Sequence, residues 1–294
     1  MSRGNPSRYV KSTYHVFTNE FRRDILSSKG LIIAAIFVMF NLLMLLSFAY
    51  MTLADQDEDT RFPSAFQDPD SETWTNITIS FSSAFYCSLL GLGAASYVGA
   101  GALARDMKSG ALRLTQATPT SRESTYVGRN MAVFLTSYLL ALLGFIVMSA
   151  GMIIVGAFAG LDWISTTEGV LGLTLQAQLL LLISIVVATT TTAALGTITK
   201  SSTIGTIGGI GFFLLIDSFL LIGASLLPDA WHLENLSFRL HQSEISTWLI
   251  GEFNTYYVKI GAGSFPLLSI VILLLIPIAA MIIGMSHYRK MDLD

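Results

Sequence analysis

The chain has 294 residues, of which 52% are hydrophobic and only 13% are charged. An ordinary soluble domain has about 25% charged residues, so the composition excludes a typical soluble protein and predicts an integral membrane protein. The single cysteine, Cys87, excludes both an intramolecular disulfide and a metal site built on thiolates.

The segment before the first long apolar stretch is predicted to form an amphipathic helix. Val10, Tyr14, Phe17, Phe21 and Ile25 recur at spacings of four, three, four and four, which is one stripe of an α-helix. Such a helix would lie in a membrane interface, with its cations toward lipid phosphates. The residues assigned to this interfacial helix are Tyr14, Phe17, Phe21, Arg22 and Arg23. A disordered basic tail is the alternative.

Six apolar segments are each long enough to cross a bilayer, which takes about 20 helical residues. They are residues 31–53, 77–104, 131–159, 170–199, 204–227 and 264–285. Hydrocarbon offers backbone amides no partner, and the alternating pattern of a barrel is absent, so the spans are predicted to be helices. The predicted fold is an all-α membrane bundle. It divides into residues 1–30, a six-span domain of residues 31–285, and a tail of residues 286–294.

The distribution of charge predicts the orientation. Four segments carry 14 of the 17 Lys and Arg residues. The segment before span one has 6 of them, and the segment between spans two and three has 5. The segment between spans four and five has 1, and the segment after span six has 2. The positive-inside rule therefore places both termini and the loop 105–129 in the cytoplasm. The predicted outer loops, 54–76, 160–169 and 228–263, hold 13 of the 20 acidic residues.

The loop 105–129 is predicted to be helical on both sides of Pro119. Residues 106–117 form a short helix in this interpretation, with Asp106 near its N-terminus, where the macrodipole favours an acid. Thr120 and Glu123 have the spacing of a capping box, which predicts a second helix that continues into the third span. The connection at Lys200 is a tight turn.

The segment 228–263 is too long for a simple turn and too apolar for a solvated loop. Its Trp and Tyr residues favour short helices that lie on, or dip into, the outer interface. His232, Glu234, His241 and Glu244 match no metal-binding spacing, so we interpret the histidines as interfacial residues.

Catalytic and cofactor motifs are missing from the sequence, which has no phosphate-binding loop and no hydrolase or metalloprotease signature. We therefore expect no catalytic residue, cofactor site or metal site in this chain. Asp217 is the one ionisable residue inside a predicted span, which makes it a functional candidate. A proton-coupling role stays open, but a neutral carboxyl that is hydrogen-bonded at a helix or subunit contact is favoured, with the threonine run 189–192 as a candidate donor.

A pattern in the loop between spans two and three is the most informative. It reads Asp106-Met-Lys-Ser-Gly110-Ala-Leu112, followed by Pro119-Thr-Ser-Arg122 and Gly128-Arg129. Together with the N-terminal helix, the six spans and the outer helices, it resembles the type-2 ABC-transporter permease family. That family's pattern is acidic-x-x-x-Gly-Thr-Leu, Pro-x-x-Arg and Gly-Lys. The chain differs in having Asp106, Ala111 and Arg129 where Glu, Thr and Lys are usual.

The resemblance implies a permease subunit that exports a substrate across the cell membrane, with residues 106–117 as a coupling helix against a separate ATPase. The residues assigned to that contact are Asp106, Lys108, Gly110, Leu112, Arg113, Leu114, Pro119 and Arg122. It implies two ATPase copies, which bind ATP and Mg²⁺, and a second permease chain as a homodimer or close paralogue. The lipid bilayer is the other expected partner, and no nucleic acid is expected.

Two rival classes remain. The first is a membrane scaffold or regulatory subunit that recruits a cytoplasmic partner without moving a substrate. The second is an intramembrane enzyme, which ranks last because the chain lacks acid–base and metal constellations.

Overall fold

The computed structural model describes residues 6–54, 89–109, 121–159, 167–217, 219–220, 237–250, 254–255, 258–259 and 266–291. The helices are α1 (Pro6–Ile25), α2 (Ser28–Ala54), α3 (Leu89–Ser109), α4 (Arg122–Ala159), α5 (Thr167–Thr199), α6 (Ser202–Ile210), α7 (Phe238–Ile250) and α8 (Leu267–Lys290). A π-helical turn, Gly211–Ile216, continues α6. The two-residue strands β1 (Asn254–Thr255) and β2 (Val258–Lys259) pair antiparallel. Apart from that pair, the predicted all-helical class is confirmed over the described residues.

Three helical stretches in the described part of the chain are long and apolar enough to cross a membrane. They are Arg122–Gly144, Leu181–Thr199 and Leu267–Lys290, which fall in the third, fourth and sixth predicted spans. α1 and α2 become a fourth candidate if they are taken as one span with a 61° bend. The bundle is therefore compatible with a membrane protein.

Serine side chains begin several of the helices. Ser27 accepts a hydrogen bond from the backbone N–H of Gly30 at the start of α2, with a length of 3.0 Å. Ser121 accepts one from Ser124 at the start of α4, also at 3.0 Å. These are N-caps, which satisfy backbone donors in the first helical turn. The predicted cap is wrong by one residue, because Ser121 caps α4 and Thr120 lies outside the described residues.

The predicted helix over residues 106–117 also needs a correction. α3 starts at Leu89 and continues through Asp106 to Ser109, so Asp106 lies in a last turn and begins no helix. An acid there faces the negative end of the helix dipole, which is unfavourable without a cation nearby. The continuation of α4 from this loop into the third span is confirmed, since one helix runs from Arg122 to Ala159.

α3 packs along α5 and α6, while α4 contacts α1 and α2, and α8 lies along α5. The tight turn predicted at Lys200 is confirmed. Lys200 has a positive φ of 53°, and the N–H of Ser201 donates to the carbonyl of Gly196 over 3.2 Å, which closes the end of α5. This turn lays α6 directly against α5 and α3.

Substitution of Gly196 tests the close packing of α3 on α5. A Cβ at Gly196 would lie 2.6 Å from the carbonyl oxygen of Ala100, whereas one at Gly208 meets nothing nearer than 3.7 Å. Gly196→Ala should destabilise the fold by about 1–3 kcal/mol through overpacking, while Gly208→Ala should be neutral or slightly stabilising. Thermal unfolding of the purified protein in mild detergent measures both. Equal melting temperatures would contradict the packing described here.

Candidate functional site

Six charged side chains from three helices form one ionic cluster. α1 supplies Glu20, Arg23 and Asp24, α3 supplies Arg105 and Asp106, and α4 supplies Arg129. Three carboxylates face three guanidinium groups, so the cluster balances its charge when all of its members are ionised. We call this set the ionic cluster.

Arg129 lies at the centre of the ionic cluster. Its side chain is only 1% exposed, and its Nη1 atom lies 2.7 Å from Oδ2 of Asp106. Its Nη2 atom lies 3.1 Å from Oε1 of Glu20, and Nη1 also donates to the carbonyl of Ala102 over 3.3 Å. Arg129 therefore links α1, α3 and α4. A guanidinium suits this role because its donors form a planar fork.

The glycine before Arg129 makes the link possible. A Cβ at Gly128 would lie 2.8 Å from the backbone carbonyl of Thr13 and 3.0 Å from the side chain of Val16. α1 can therefore approach the α4 backbone closely only because position 128 has no side chain. Gly128 and Arg129 belong to the sequence pattern described above, and the structure gives each of them a role in packing α1 on α4.

The other two arginines of the cluster lie nearer to solvent. Arg23 is 2.6 Å from Oε2 of Glu20 and donates to Oδ2 of Asp106 over 3.1 Å. Arg105 lies 3.8 Å from Oδ1 of Asp24. Arg23 was predicted to face lipid phosphates, but its guanidinium is engaged by carboxylates of α1 and α3. α1 is thus held on the bundle by charge as well as by apolar contact.

The carboxylates differ in how well the cluster compensates their burial. Burial alone would raise the pKa of Asp106, but Arg129 and Arg23 outweigh that effect and hold the pKa below its ordinary value. Burial raises the pKa of Glu20 despite the same two arginines, and it also raises the pKa of Asp24. Asp106 is the acid whose charge the site stabilises most.

A second set of contacts joins the start of α4 to the end of α8. Arg122 donates to the backbone carbonyls of Arg289, over 3.0 Å, and Met291, over 2.7 Å. Glu123 pairs with Arg289 at 3.1 Å. A cation beside the last carbonyls of a helix is favourable, because those carbonyls lack partners within the helix and carry the negative end of its dipole.

The structure describes three of the eight predicted coupling residues. Asp106 is buried in the ionic cluster, and Arg122 is bound to α8, so both contact this chain itself. Lys108 is exposed in the last turn of α3. The remaining predicted contact residues, Gly110, Leu112, Arg113, Leu114 and Pro119, lie outside the described residues.

The residues of the predicted interfacial helix fall on α1, which is helical as expected. Tyr14 is 67% exposed, whereas Phe17 and Phe21 are partly buried and stack with their ring centroids 5.8 Å apart. Arg22 is exposed. The aromatic stripe of α1 is therefore only partly covered, while Thr13 and Val16 are the residues that meet α4 at Gly128.

Asp217 is buried directly after the π-helical turn. The hydroxyl of Ser237, which also caps α7 by accepting from the N–H of Leu240, donates to Oδ1 of Asp217 over 2.8 Å. The predicted donors in the run 189–192 are wrong. Each hydroxyl donates instead to the backbone carbonyl four residues earlier in α5, over 2.6–2.7 Å, in Thr189, Thr190 and Thr192. A threonine hydroxyl can reach that carbonyl in any helix.

Sequence reasoning missed three members of the ionic cluster, Glu20, Asp24 and Arg105, and assigned Arg129 only to a motif. The spacing of Glu20, Arg23 and Asp24 was the available signal, because residues three and four apart share a helix face. No family model and no curated protein matches this chain. The interpretation of the site therefore rests on its geometry.

Paired substitutions test the ranking of the carboxylates. Asp106→Asn removes the carboxylate that lies nearest to the buried Arg129 guanidinium, and should cost about 3–5 kcal/mol, the scale of breaking a buried ion pair. Glu20→Gln removes a charge that burial already disfavours, so we expect its cost to stay within about 1 kcal/mol. Melting temperatures in detergent give the comparison, and a larger loss for Glu20→Gln than for Asp106→Asn would contradict it.

A second pair of substitutions tests Asp217. Asp217→Asn keeps an oxygen that accepts from Ser237, so it should retain the stability of the parent protein. Asp217→Leu loses that acceptor and should cost about 1 kcal/mol, the scale of an interhelical hydrogen bond in a membrane. Ser237→Ala provides a cross-check, because it removes the donor instead. Equal stability of Asp217→Leu and the parent would exclude a structural hydrogen bond.

Proposed function

We propose that this chain is the membrane-spanning permease subunit of an ATP-driven exporter in the cell membrane. In this proposal it has six spans with both termini in the cytoplasm, and two such chains pair. A separate ATPase in two copies binds ATP and Mg²⁺. The observation that carries the proposal is the way the ionic cluster holds both ends of the loop 110–120.

The loop is attached to the bundle by charged contacts on each side. Asp106 and Arg105 lie within five residues of Gly110 on α3, and Arg122 and Arg129 lie within the first eight residues of α4. A partner that pulls or pushes this loop therefore moves α3 and α4 together. Through Glu20 and Arg23 it also moves α1, and through Arg122 it moves the end of α8.

Long helices can carry such a movement away from the loop. α4 has 38 residues, which corresponds to about 57 Å at the usual rise per residue. A tilt at the loop end therefore displaces the far end of α4 and the helices packed on it. Hinge and shear movements of packed helices are an established means of opening a path. Two paired chains that tilt in this way would expose a path between them to alternate sides.

The absence of a phosphate-binding loop from the sequence is consistent with ATP hydrolysis on a separate subunit. The sequence offers no group that could hydrolyse a nucleotide, so an energy source must come from elsewhere if the bundle is moved actively. The exposed Lys108, at the end of α3, and Arg113, in the loop that follows in the sequence, offer positive charge that an ATPase could contact. A scaffold would use the same surface without transmitting movement, so the decisive test must separate binding from movement.

The first step of the test identifies the partner. The full chain, purified from its own membranes in mild detergent, should co-purify with a protein that contains a phosphate-binding loop. Leu112→Glu combined with Arg113→Glu should reduce that co-purification at least tenfold, because both residues lie in the loop. Lys200→Glu, which reverses a charge at the tight turn between α5 and α6, is the control. Retention of the ATPase by the double variant would contradict the assignment of the loop.

The second step separates an exporter from a scaffold. Spin labels placed at exposed positions 131 and 154 of α4 report the distance between the two copies with and without ATP. A nucleotide-dependent change of several Å supports transport, and an unchanged distance in an intact complex with the ATPase supports the scaffold. Asp106 is unsuitable as a docking probe, because its replacement disturbs the fold itself.

A further inference from the structure

α1 exposes cations on the side that faces away from the bundle. Four polar side chains on that side are exposed, at spacings of four, three and four residues: Lys11, His15, Thr18 and Arg22. Residues three and four apart share a helix face, so these four form one row, which we call the polar column. At about 100° per residue, the polar column lies on roughly the opposite side of α1 from Glu20 and Asp24.

The acids of α1 are absent from the polar column. The sequence of α1 contains two acids, Glu20 and Asp24, and both lie beside arginines of the ionic cluster. Among the described residues no carboxylate forms an ion pair with Lys11 or Arg22. The ionic cluster therefore uses the negative charge of α1 and leaves these two cations uncompensated on the outer side.

The ionic cluster adds further positive charge at the surface. The side chains of Glu20, Asp24 and Asp106 are between 7% and 12% exposed, whereas those of Arg23 and Arg105 are 42% and 37% exposed. The cluster balances its charge as a whole, but two of its positive groups lie nearer to the surface than its negative groups. The outer side of α1 and the adjoining end of α3 are therefore positively charged.

An apolar edge of α1 runs beside the polar column. Val10 and Tyr14 are 64% and 67% exposed, and they lie about a quarter of a turn around the helix from the column. In water this edge would be an uncovered apolar strip next to two cations. A phospholipid surface suits both parts, because its charged headgroups lie directly beside its acyl chains.

The turn between α1 and α2 fixes the direction of α1. The axes of Tyr9–Ile25 and Gly30–Leu43 differ by 61°. The hydroxyl of Ser27 donates to the carbonyl of Asp24 over 2.7 Å and accepts from the N–H of Gly30 over 3.0 Å. A Cβ at Gly30 would lie 2.6 Å from the carbonyl oxygen of Asp24, so the turn is tight. Such an angle is expected of a helix that lies along a membrane surface while the next helix enters the membrane.

We propose that the polar column of α1 binds the anionic headgroups of the lipid leaflet on which α1 lies. Lys11 and Arg22 attract headgroups with net negative charge, while Val10 and Tyr14 enter the acyl layer. Eleven residues separate the two cations, which is about 16 Å along the helix. The column therefore follows a charged layer and does not enclose a single molecule.

This assignment goes beyond an interfacial position of α1, because it gives two named cations a preference for lipid charge. Zwitterionic headgroups lack the net charge that Lys11 and Arg22 attract, and a free phosphate lacks the acyl chains that the apolar edge requires. The proposal requires insertion of the chain into a bilayer but no transport, so it and the proposed exporter function can fail separately.

Quenching of a fluorophore on α1 measures the lipid composition beside the polar column. The full chain carries the fluorophore at Thr18→Cys in a Cys87→Ser background, in vesicles of phosphatidylcholine of which a fixed fraction bears a nitroxide on the headgroup. Part of the unlabelled phosphatidylcholine is then replaced by phosphatidylglycerol. Quenching should fall, because phosphatidylglycerol displaces the nitroxide lipid from α1. Unchanged quenching would show equal affinity for the two lipids and would overturn the proposal.

Neutral substitutions test the two cations. Lys11→Gln combined with Arg22→Gln should reduce the preference for phosphatidylglycerol roughly tenfold or more, because each cation near an anionic surface contributes about fivefold to binding. Lys11→Arg combined with Arg22→Lys keeps both charges and should keep the preference. Lys200→Gln combined with Lys290→Gln removes two exposed cations elsewhere and is the matched control. Equal losses in the two neutral pairs would contradict the assignment to α1.

Salt and free phosphate provide tests on the parent chain itself. The preference should weaken between about 0.1 M and 1 M salt, where the screening length falls from about 10 Å to about 3 Å. Inorganic phosphate at constant ionic strength should leave it unchanged. A preference that persists in high salt would exclude an electrostatic origin, and its loss in phosphate would assign the column to a soluble anion.

Spin labels compare the two outer sides of α1. Val10→Cys and His15→Cys, in the same Cys87→Ser background, place a label on the apolar edge and on the polar column. The label at position 10 should be more accessible to oxygen, which concentrates among acyl chains, and the label at position 15 to a water-soluble nickel chelate. The reverse order would overturn the proposed orientation of α1 on the lipid surface.

Discussion

The burial of the Arg129 guanidinium is the constraint on which the rest of the structure depends. A charged group in a mostly apolar protein is stable only when opposite charges and hydrogen-bond acceptors surround it. Asp106, Glu20 and the carbonyl of Ala102 provide them, and they come from α3 and α1. The three helices therefore have to meet at one level along the bundle. Asp106 illustrates the mutual dependence, because its position at the end of α3 opposes the helix dipole and is favourable only with arginines beside it.

α8 connects two polar sites at opposite ends of the bundle. Its last residues accept hydrogen bonds from Arg122 and pair with Glu123, while Ser269 near its start contacts His241 and Glu244 of α7. The stretch between them is apolar and includes Leu273, which packs in a core with Phe213 and Val187. A continuous helix with a polar contact at each end can transmit a movement from one end to the other. In the proposed exporter, α8 would link the loop that contacts the ATPase to the contact between α7 and α8.

The packing between these sites leaves little freedom for the helices to slide independently. α3, α5 and α6 approach one another at Gly196 and Gly205, where the Cβ of any other residue would meet backbone atoms within 3 Å. Thr189 and Thr192 of α5 donate to carbonyls of their own helix, so these two hydroxyls add no requirement for a neighbouring helix. Specific contacts between helices are therefore concentrated in the ionic cluster, in the glycine contacts and around α7. Small shifts in such a structure are expected to occur as movements of whole helices.

The sequence alone determined the helical class and the existence of the long apolar helices, because these follow from local composition and from the period of the apolar residues. It also predicted the helix before residue 30 and the tight turn at Lys200. It did not determine that Asp106 lies in the last turn of α3, because an acid there is locally unfavourable and its compensation by Arg129 and Arg23 involves residues distant in the chain. For the same reason the partner of Asp217 proved to be Ser237 rather than a threonine of α5, and Glu244 was found next to Ser269. Periodicity describes one helix at a time, whereas only the tertiary structure decides which buried charges and hydroxyls meet.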